Sequence, residues 1–167
     1  YFWYVNDKLI GSSSGLGLSS FKKGDTIKVC QKPVDEHGLS GVKKCKSVII
    51  KNKPPEIFNF GVSPGIGFGD SSFTYKLSYK DADGDSAKYV KVIVDGKEYS
   101  MTKGEGNDYK RGVPYYFSLA NLNRGTHTYS FKVSDGKAET VTSSQVGPYV
   151  SDSKPSISLI YTVGGEI

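Results

Sequence analysis

Apolar and polar residues alternate along most of the chain. From Phe73 to Lys80 every odd position is apolar or aromatic and every even one is polar. That period of two predicts a strand with one face buried and one face wet. His127, Tyr129, Phe131 and Val133 repeat the pattern around Thr128, Ser130 and Lys132. Val90, Val92 and Val94 run into Asp95-Gly96, and Lys97 to Met101 reads as the return strand. Asp-Gly between strands predicts a tight hairpin, because its turn requires positive φ. Asp135-Gly136, between Val133 and Val141, predicts a second one. About seven strands are expected from Pro55 to Val150, at intervals that suit a sandwich.

Proline marks the boundaries. Asn52-Lys53-Pro54-Pro55 cannot continue a central strand, since proline removes a ladder donor. Gly147-Pro148 is expected to close the next unit, and Ser151 to Pro155 reads as a linker. The expected plan is a short β unit over 1–53, a complete one over 54–150, and a linker with a trailing strand over 151–167. Tyr1 is not preceded by a methionine, and no basic segment followed by an apolar one comes after it. The sequence therefore reads as a mature product or an excised piece of something longer, with no signal peptide.

Composition narrows the class. The chain has 167 residues, 37% hydrophobic and 23% charged, which suits a folded domain rather than a disordered one. No apolar run is long enough to span a membrane. Charge is uneven: residues 1–53 carry ten lysines against four acidic residues, whereas 54–150 are balanced. A basic unit can meet an anionic polymer. Lysine on strand edges is also an ordinary guard against aggregation. The basic unit holds no arginine and no nucleic-acid motif, so nucleic acid is not expected as a partner.

Few residues carry candidate chemistry. Cys30 and Cys45 are the only cysteines, and no CxxC spacing is present, so a metal site on them is not expected. Cys30 ends one predicted strand and Cys45 opens the next, across a long hairpin loop with Pro33, Gly38 and Gly41. A bridge there closes a loop of about fifteen residues, worth roughly 3 kcal/mol, and implies an oxidising, extracellular compartment. Two free buried thiols are the alternative. Asp81, Asp83 and Asp85 surround Gly84. Alternate carboxylates in a turn can converge on calcium, although no EF-hand loop is present. The alternative is a turn held by its own side-chain-to-backbone bonds. Asp108 is a remote candidate for the same cation.

Gly11-Ser12-Ser13-Ser14-Gly15 matches the hydrolase pattern GxSxG in form, but that motif needs a strand before it and a helix after it. Here it reads as a flexible loop. Gly65-Ile66-Gly67-Phe68-Gly69 lacks the lysine and helix of a phosphate loop and reads as a surface loop. His127 falls on an inward position, and His37 on a solvated loop. No triad can be assembled from these residues, and no catalytic residue is expected. Tyr115 and Tyr116 must point to opposite faces of a strand. Tyr109, Tyr115, Tyr116 and Tyr149 are not all expected to be buried, and an exposed tyrosine can bind a sugar or pack on a neighbour.

The order of pieces from Pro64 to Val150 resembles the immunoglobulin-like repeats of large microbial cell-surface proteins, akin to PKD and fibronectin type III modules. The pieces are Pro64-Gly65, Phe73–Tyr79, Asp81-Ala82-Asp83-Gly84-Asp85, Val90–Gly96, Met101, Asp108-Tyr109, Gly112, Tyr115, Leu122, Gly125–Phe131, Asp135-Gly136 and Gly147-Pro148. Leu122, Gly125 and Tyr129 resemble a tyrosine corner, in which the hydroxyl bonds backbone. Residues 2–55 resemble the second half of another such repeat, through Trp3–Asn6, Phe21–Val29, Gly41 and Ser47–Asn52. Its first two strands are absent. The implied fold is all-β: tandem immunoglobulin-like β-sandwiches, the first incomplete.

Two explanations fit the incomplete unit. The missing strands belong upstream in a longer protein, or a neighbour supplies one. The tail Ser156-Ile157-Ser158-Leu159-Ile160-Tyr161 has the length and alternation of a donated strand. Head-to-tail donation that does not close would make a filament. The resemblance implies a non-catalytic structural module at the cell surface, such as a stalk, surface layer or filament. Its partners would be neighbouring modules or subunits. The alternative is an accessory module of an adhesin or secreted enzyme, binding a surface glycan or a protein.

Overall fold

The computed structural model describes residues 1–15, 17 and 21–152. The described residues form sheets that are antiparallel except for one short strand pair, without helix. The first sheet holds β1 (Phe2–Val5), β2 (Lys8–Gly11), β3 (Thr26–Gln31) and β4 (Lys44–Ile49), in the order β2-β1-β3-β4. Asn6 and Asp7 both take positive φ, 49° and 64°, and close the β1–β2 hairpin. This hairpin is absent from the sequence reading, which treats Trp3–Asn6 as a strand and stops there.

The remaining strands build two further sheets. One contains β5 (Glu56–Ser63), β7 (Ser72–Lys80), β10 (Thr102–Lys103) and β11 (Val113–Ala120), in the order β10-β11-β7-β5. The other contains β6 (Ile66–Phe68), β8 (Tyr89–Val94), β9 (Lys97–Ser100), β12 (Gly125–Ser134) and β14 (Gln145–Ser151), in the order β6-β14-β12-β8-β9. Strand β13 (Glu139–Val141) pairs with β12 off that path. The predicted alternation places the core. Phe73, Tyr75, Leu77 and Tyr79 of β7 are buried beside Val113 and Tyr115. They meet Val90, Val92, Val94, Tyr129, Phe131 and Val133 of the opposing sheet in one apolar cluster. Tyr75 and Tyr129 pack edge to face across it, with centroids 5.5 Å apart. The arrangement is sandwich-like, as two half-apolar sheets facing each other require.

Three differences from the sequence reading have physical causes. Ten strands, not about seven, lie between Glu56 and Ser151, because β6, β10 and β13 are only two or three residues long and carry no readable alternation. The glycine-rich stretch at 65–69 is not merely a loop: Ile66–Phe68 pairs in parallel with β14, and Gly67 lies against Phe73 and Ser71 with no room for a side chain. Gly147-Pro148 sits inside β14 rather than after it. Pro148 is buried and lacks an amide hydrogen, and the β12–β14 register shifts between Thr126 and Thr128.

The first sheet has a different character. Ile27 and Cys30 are its buried apolar residues, and every residue of β4 is exposed. Among the described residues, no second sheet covers it. Trp3 is held by its indole N–H, which donates to the Ser13 carbonyl at 3.0 Å.

Candidate functional site

The turn after β7 is built by Asp81. Its Oδ1 accepts the amides of Asp83 at 2.8 Å and Asp85 at 3.2 Å, and its carbonyl accepts the Gly84 amide at 3.0 Å. Gly84 takes φ +85°, a conformation that side chains disfavour. The Asp81 amide donates to the Tyr109 carbonyl at 2.8 Å, which fixes the turn against the next long loop. The Tyr79 hydroxyl donates to the Asp85 carbonyl at 3.2 Å. Among the described residues it is thus Tyr79, not Tyr129, whose hydroxyl makes the tyrosine-to-backbone bond.

Asp81, Asp83 and Asp85 converge. One oxygen from each lies within 4.8 Å of the other two. Asp81 is fully buried, and its Oδ2 has no hydrogen-bond partner. Burial pushes its carboxyl above the ordinary range, and the charges of Asp83 and Asp135 add to that, against the Asp83 and Gly84 amides. Asp108 lies outside this group and pairs with Arg111 at 3.5 Å.

The other side of the site comes from the first unit. Asp25 accepts the Lys22 amide at 2.8 Å and the Asn6 side-chain amide at 2.8 Å, and these bonds hold its carboxyl below the usual range. The Gly24 amide donates to the Ile50 carbonyl at 2.8 Å. This frame presents Lys23. Its ammonium pairs with Asp85 and donates to Asn52 Oδ1 at 3.1 Å. The Lys53 amide donates to Asp83 Oδ2 at 2.8 Å. Asn52 Nδ2 donates to Asp135 Oδ2 at 2.8 Å, while Asp135 Oδ1 accepts the Lys137 and Ala138 amides at 2.6 Å each and so shapes the β12–β13 turn. The three aspartates therefore face the connection between the first sheet and the sandwich.

The sequence reading places Asn52 at a boundary, Asp135 in a turn and Lys23 in the Phe21–Val29 stretch, but gives none of them a contact at this junction. They lie 29 and 83 residues from their partners, so no local spacing could pair them. The one available signal is the proline-marked connection, which says where a junction falls but not what it touches.

The other candidates are distributed across the molecule. Cys30 and Cys45 stand opposite each other on β3 and β4 and form a disulfide. His127 is buried, with Nδ1 2.6 Å from Asp95 Oδ2 and Nε2 2.8 Å from the Asn123 carbonyl oxygen. His37 is exposed. In the Gly11–Gly15 segment the Ser13 hydroxyl donates to the Gly15 carbonyl at 2.5 Å, and no helix follows among the described residues. Tyr116 and Tyr149 are both exposed but belong to different sheets, so they form no common row. The Ser156–Tyr161 segment lies outside the described residues. No described helix is long and apolar enough to cross a membrane.

Compared with protein-family models and with curated proteins, the chain matches none. The functional reading therefore rests on the residues and the geometry above.

Proposed function

We propose that this chain is a non-catalytic structural part of an extracellular surface protein, in which immunoglobulin-like β units stand in tandem as a stalk, surface layer or filament. The observation that carries the reading is the polar junction. Residues 23, 52 and 53 are tied to Asp85, Asp135 and Asp83 on two separate turns of the sandwich. Contacts to two turns resist pivoting about either one. Pro54 and Pro55 follow directly, and fixed φ at successive residues stiffens the connection. The Thr140 hydroxyl donates to the Pro55 carbonyl at 2.5 Å and adds a further tie. A spacer needs this property, because it hands on orientation from one unit to the next.

Two further observations support the reading. Disulfides persist in oxidising compartments, and Cys30–Cys45 secures the sheet with the smaller core. His127, the buried histidine, has both ring nitrogens within hydrogen-bond distance of acceptors in the fold, so both are spent on structure. Among the described residues nothing pairs with the edges of the first sheet, β2 and β4, and we ascribe its covering to a neighbouring unit or subunit. The test is antibody labelling of intact source cells with serum raised against this chain. Labelling without permeabilisation is expected; labelling only after permeabilisation would overturn the reading.

A further inference from the structure

We infer that Asp81, Asp83 and Asp85 form a calcium site at the junction, for which the Lys23 ammonium competes. The inference does not require the chain to be a surface spacer; it rests on the local chemistry alone.

Geometry comes first. Calcium binds oxygen at about 2.3–2.6 Å, so two of its ligands can stand no further apart than about 5 Å. One oxygen from each of the three carboxylates lies within 4.8 Å of the other two, so a single ion can touch all three. A cluster of acids alone would not be enough, since acids often share a turn. Asp81 supplies the independent observation. It is fully buried, its Oδ1 is occupied by two amides of the turn, and its Oδ2 faces no donor. A buried carboxylate oxygen without a partner is expensive, and a bound cation removes that penalty.

The charge balance points the same way. Asp135 adds a fourth carboxylate, linked through Asn52 to the same Lys23 ammonium. Among the described residues Lys23 is the one ammonium that ion-pairs with the trio, while Lys51, Lys53 and Lys110 line the same pocket as Asp83 and Asp85. Asp85 Oδ2 is buried, and among the described residues the Lys23 ammonium is its whole compensation. Only one of the three carboxylates is ion-paired among the described residues, and a divalent ion would meet the other two as well. Calcium is favoured over magnesium because an irregular turn offers carboxylates at uneven angles, which calcium tolerates and magnesium does not. Asp83 stays linked to the Lys53 amide through Oδ2, so the ion would bind beside the connection between the units.

The test titrates the whole chain, first stripped with a chelator, with calcium chloride and separately with magnesium chloride. Calorimetry and the amide resonances of residues 81–85 provide two readouts. The expected result is saturable calcium binding with a dissociation constant on the order of 10⁻⁴–10⁻³ M, the range of extracellular modules, and weaker magnesium binding. Asp83→Asn, at a half-buried position, should weaken calcium binding at least about tenfold while the chain stays folded. Asp81→Asn should do the same, and Asp83→Asn keeps the test valid if the buried substitution unfolds the turn. Lys23→Gln should tighten binding. No saturable shift up to about 10 mM calcium, or binding indifferent to Asp83→Asn, would overturn the site. Binding unchanged in Lys23→Gln would overturn the competition.

Discussion

Asn52 donates its side-chain amide to Asp135 across 83 residues of sequence, at 2.8 Å. The bond joins the segment that leaves the first sheet to a hairpin turn at the end of the sandwich. It explains why Asp135 does more than shape its own turn. One carboxylate oxygen takes the Lys137 and Ala138 amides, and the other takes Asn52. The same division occurs at Asp81, where Oδ1 holds the turn and Oδ2 is left over.

The first sheet depends on its disulfide. Strand β4 is exposed throughout, and the Cys30–Cys45 bridge pins it to β3. Reduction, or Cys45→Ser, should destabilise this sheet by about 3 kcal/mol, the value for a fifteen-residue loop. Hydrogen exchange of the β3 and β4 amides should accelerate while β7 and β12 stay protected. Unchanged exchange in β3 would contradict this.

What the sequence shows and hides can be judged from these elements. The period of two in Phe73–Tyr79 and His127–Val133 places the core residues correctly, because a buried sheet face admits only one register. Asp95-Gly96 is readable because positive φ at two successive residues restricts the residue types. The Asn6-Asp7 hairpin uses the same chemistry with a less distinctive pair. The junction is hidden for another reason. Lys23, Asn52 and Asp135 are ordinary polar residues, and only the packing of distant turns brings them together.

The His127–Asp95 pair predicts a pH dependence. A neutral imidazole has one N–H, but both ring nitrogens of His127 face acceptors, so only the imidazolium fills both bonds. Burial opposes the charge, yet the Asp95 and Asn123 oxygens outweigh it, and the pKa of His127 rises above its usual 6.5. A raised folded-state pKa contributes stability that is fully present below pH 6.5 and is lost as pH rises through the folded value. Asp95 runs the other way. Burial raises its pKa, but the Thr128 amide and His127 lower it on balance. Its contribution is present above pH 3.8 and is lost as pH falls through the folded value. Ring proton resonances of His127 should titrate with a midpoint above 6.5, and Asp95→Asn should bring that midpoint down. A midpoint below 6.5 in the unsubstituted chain would contradict the assignment.

Tyr75 carries a hydroxyl that is buried without a partner. Burying a polar group unpaired costs about 1–3 kcal/mol, and its removal recovers part of that. Tyr75→Phe should leave stability unchanged or raise it by about 1 kcal/mol in denaturant unfolding. A clear loss of stability would show that the hydroxyl has a bonded partner.

Gly67 predicts the opposite sign. A Cβ there would lie 2.7 Å from the Phe73 ring and 2.7 Å from the Ser71 hydroxyl. Phe73 is fully buried, so its ring cannot simply swing away. Gly67→Ala should destabilise the sandwich by about 1–3 kcal/mol through overpacking. An unchanged unfolding midpoint would show that the β6–β14 edge yields easily.

The central claim is that the junction holds the first sheet and the sandwich in one orientation. Residual dipolar couplings of backbone amides, collected in a weakly aligned sample, test it most directly. The account predicts one alignment tensor for residues 26–49 and 56–151, and two distinct tensors once Asn52→Ala and Lys23→Ala are combined. Two distinct tensors in the unsubstituted chain would contradict it.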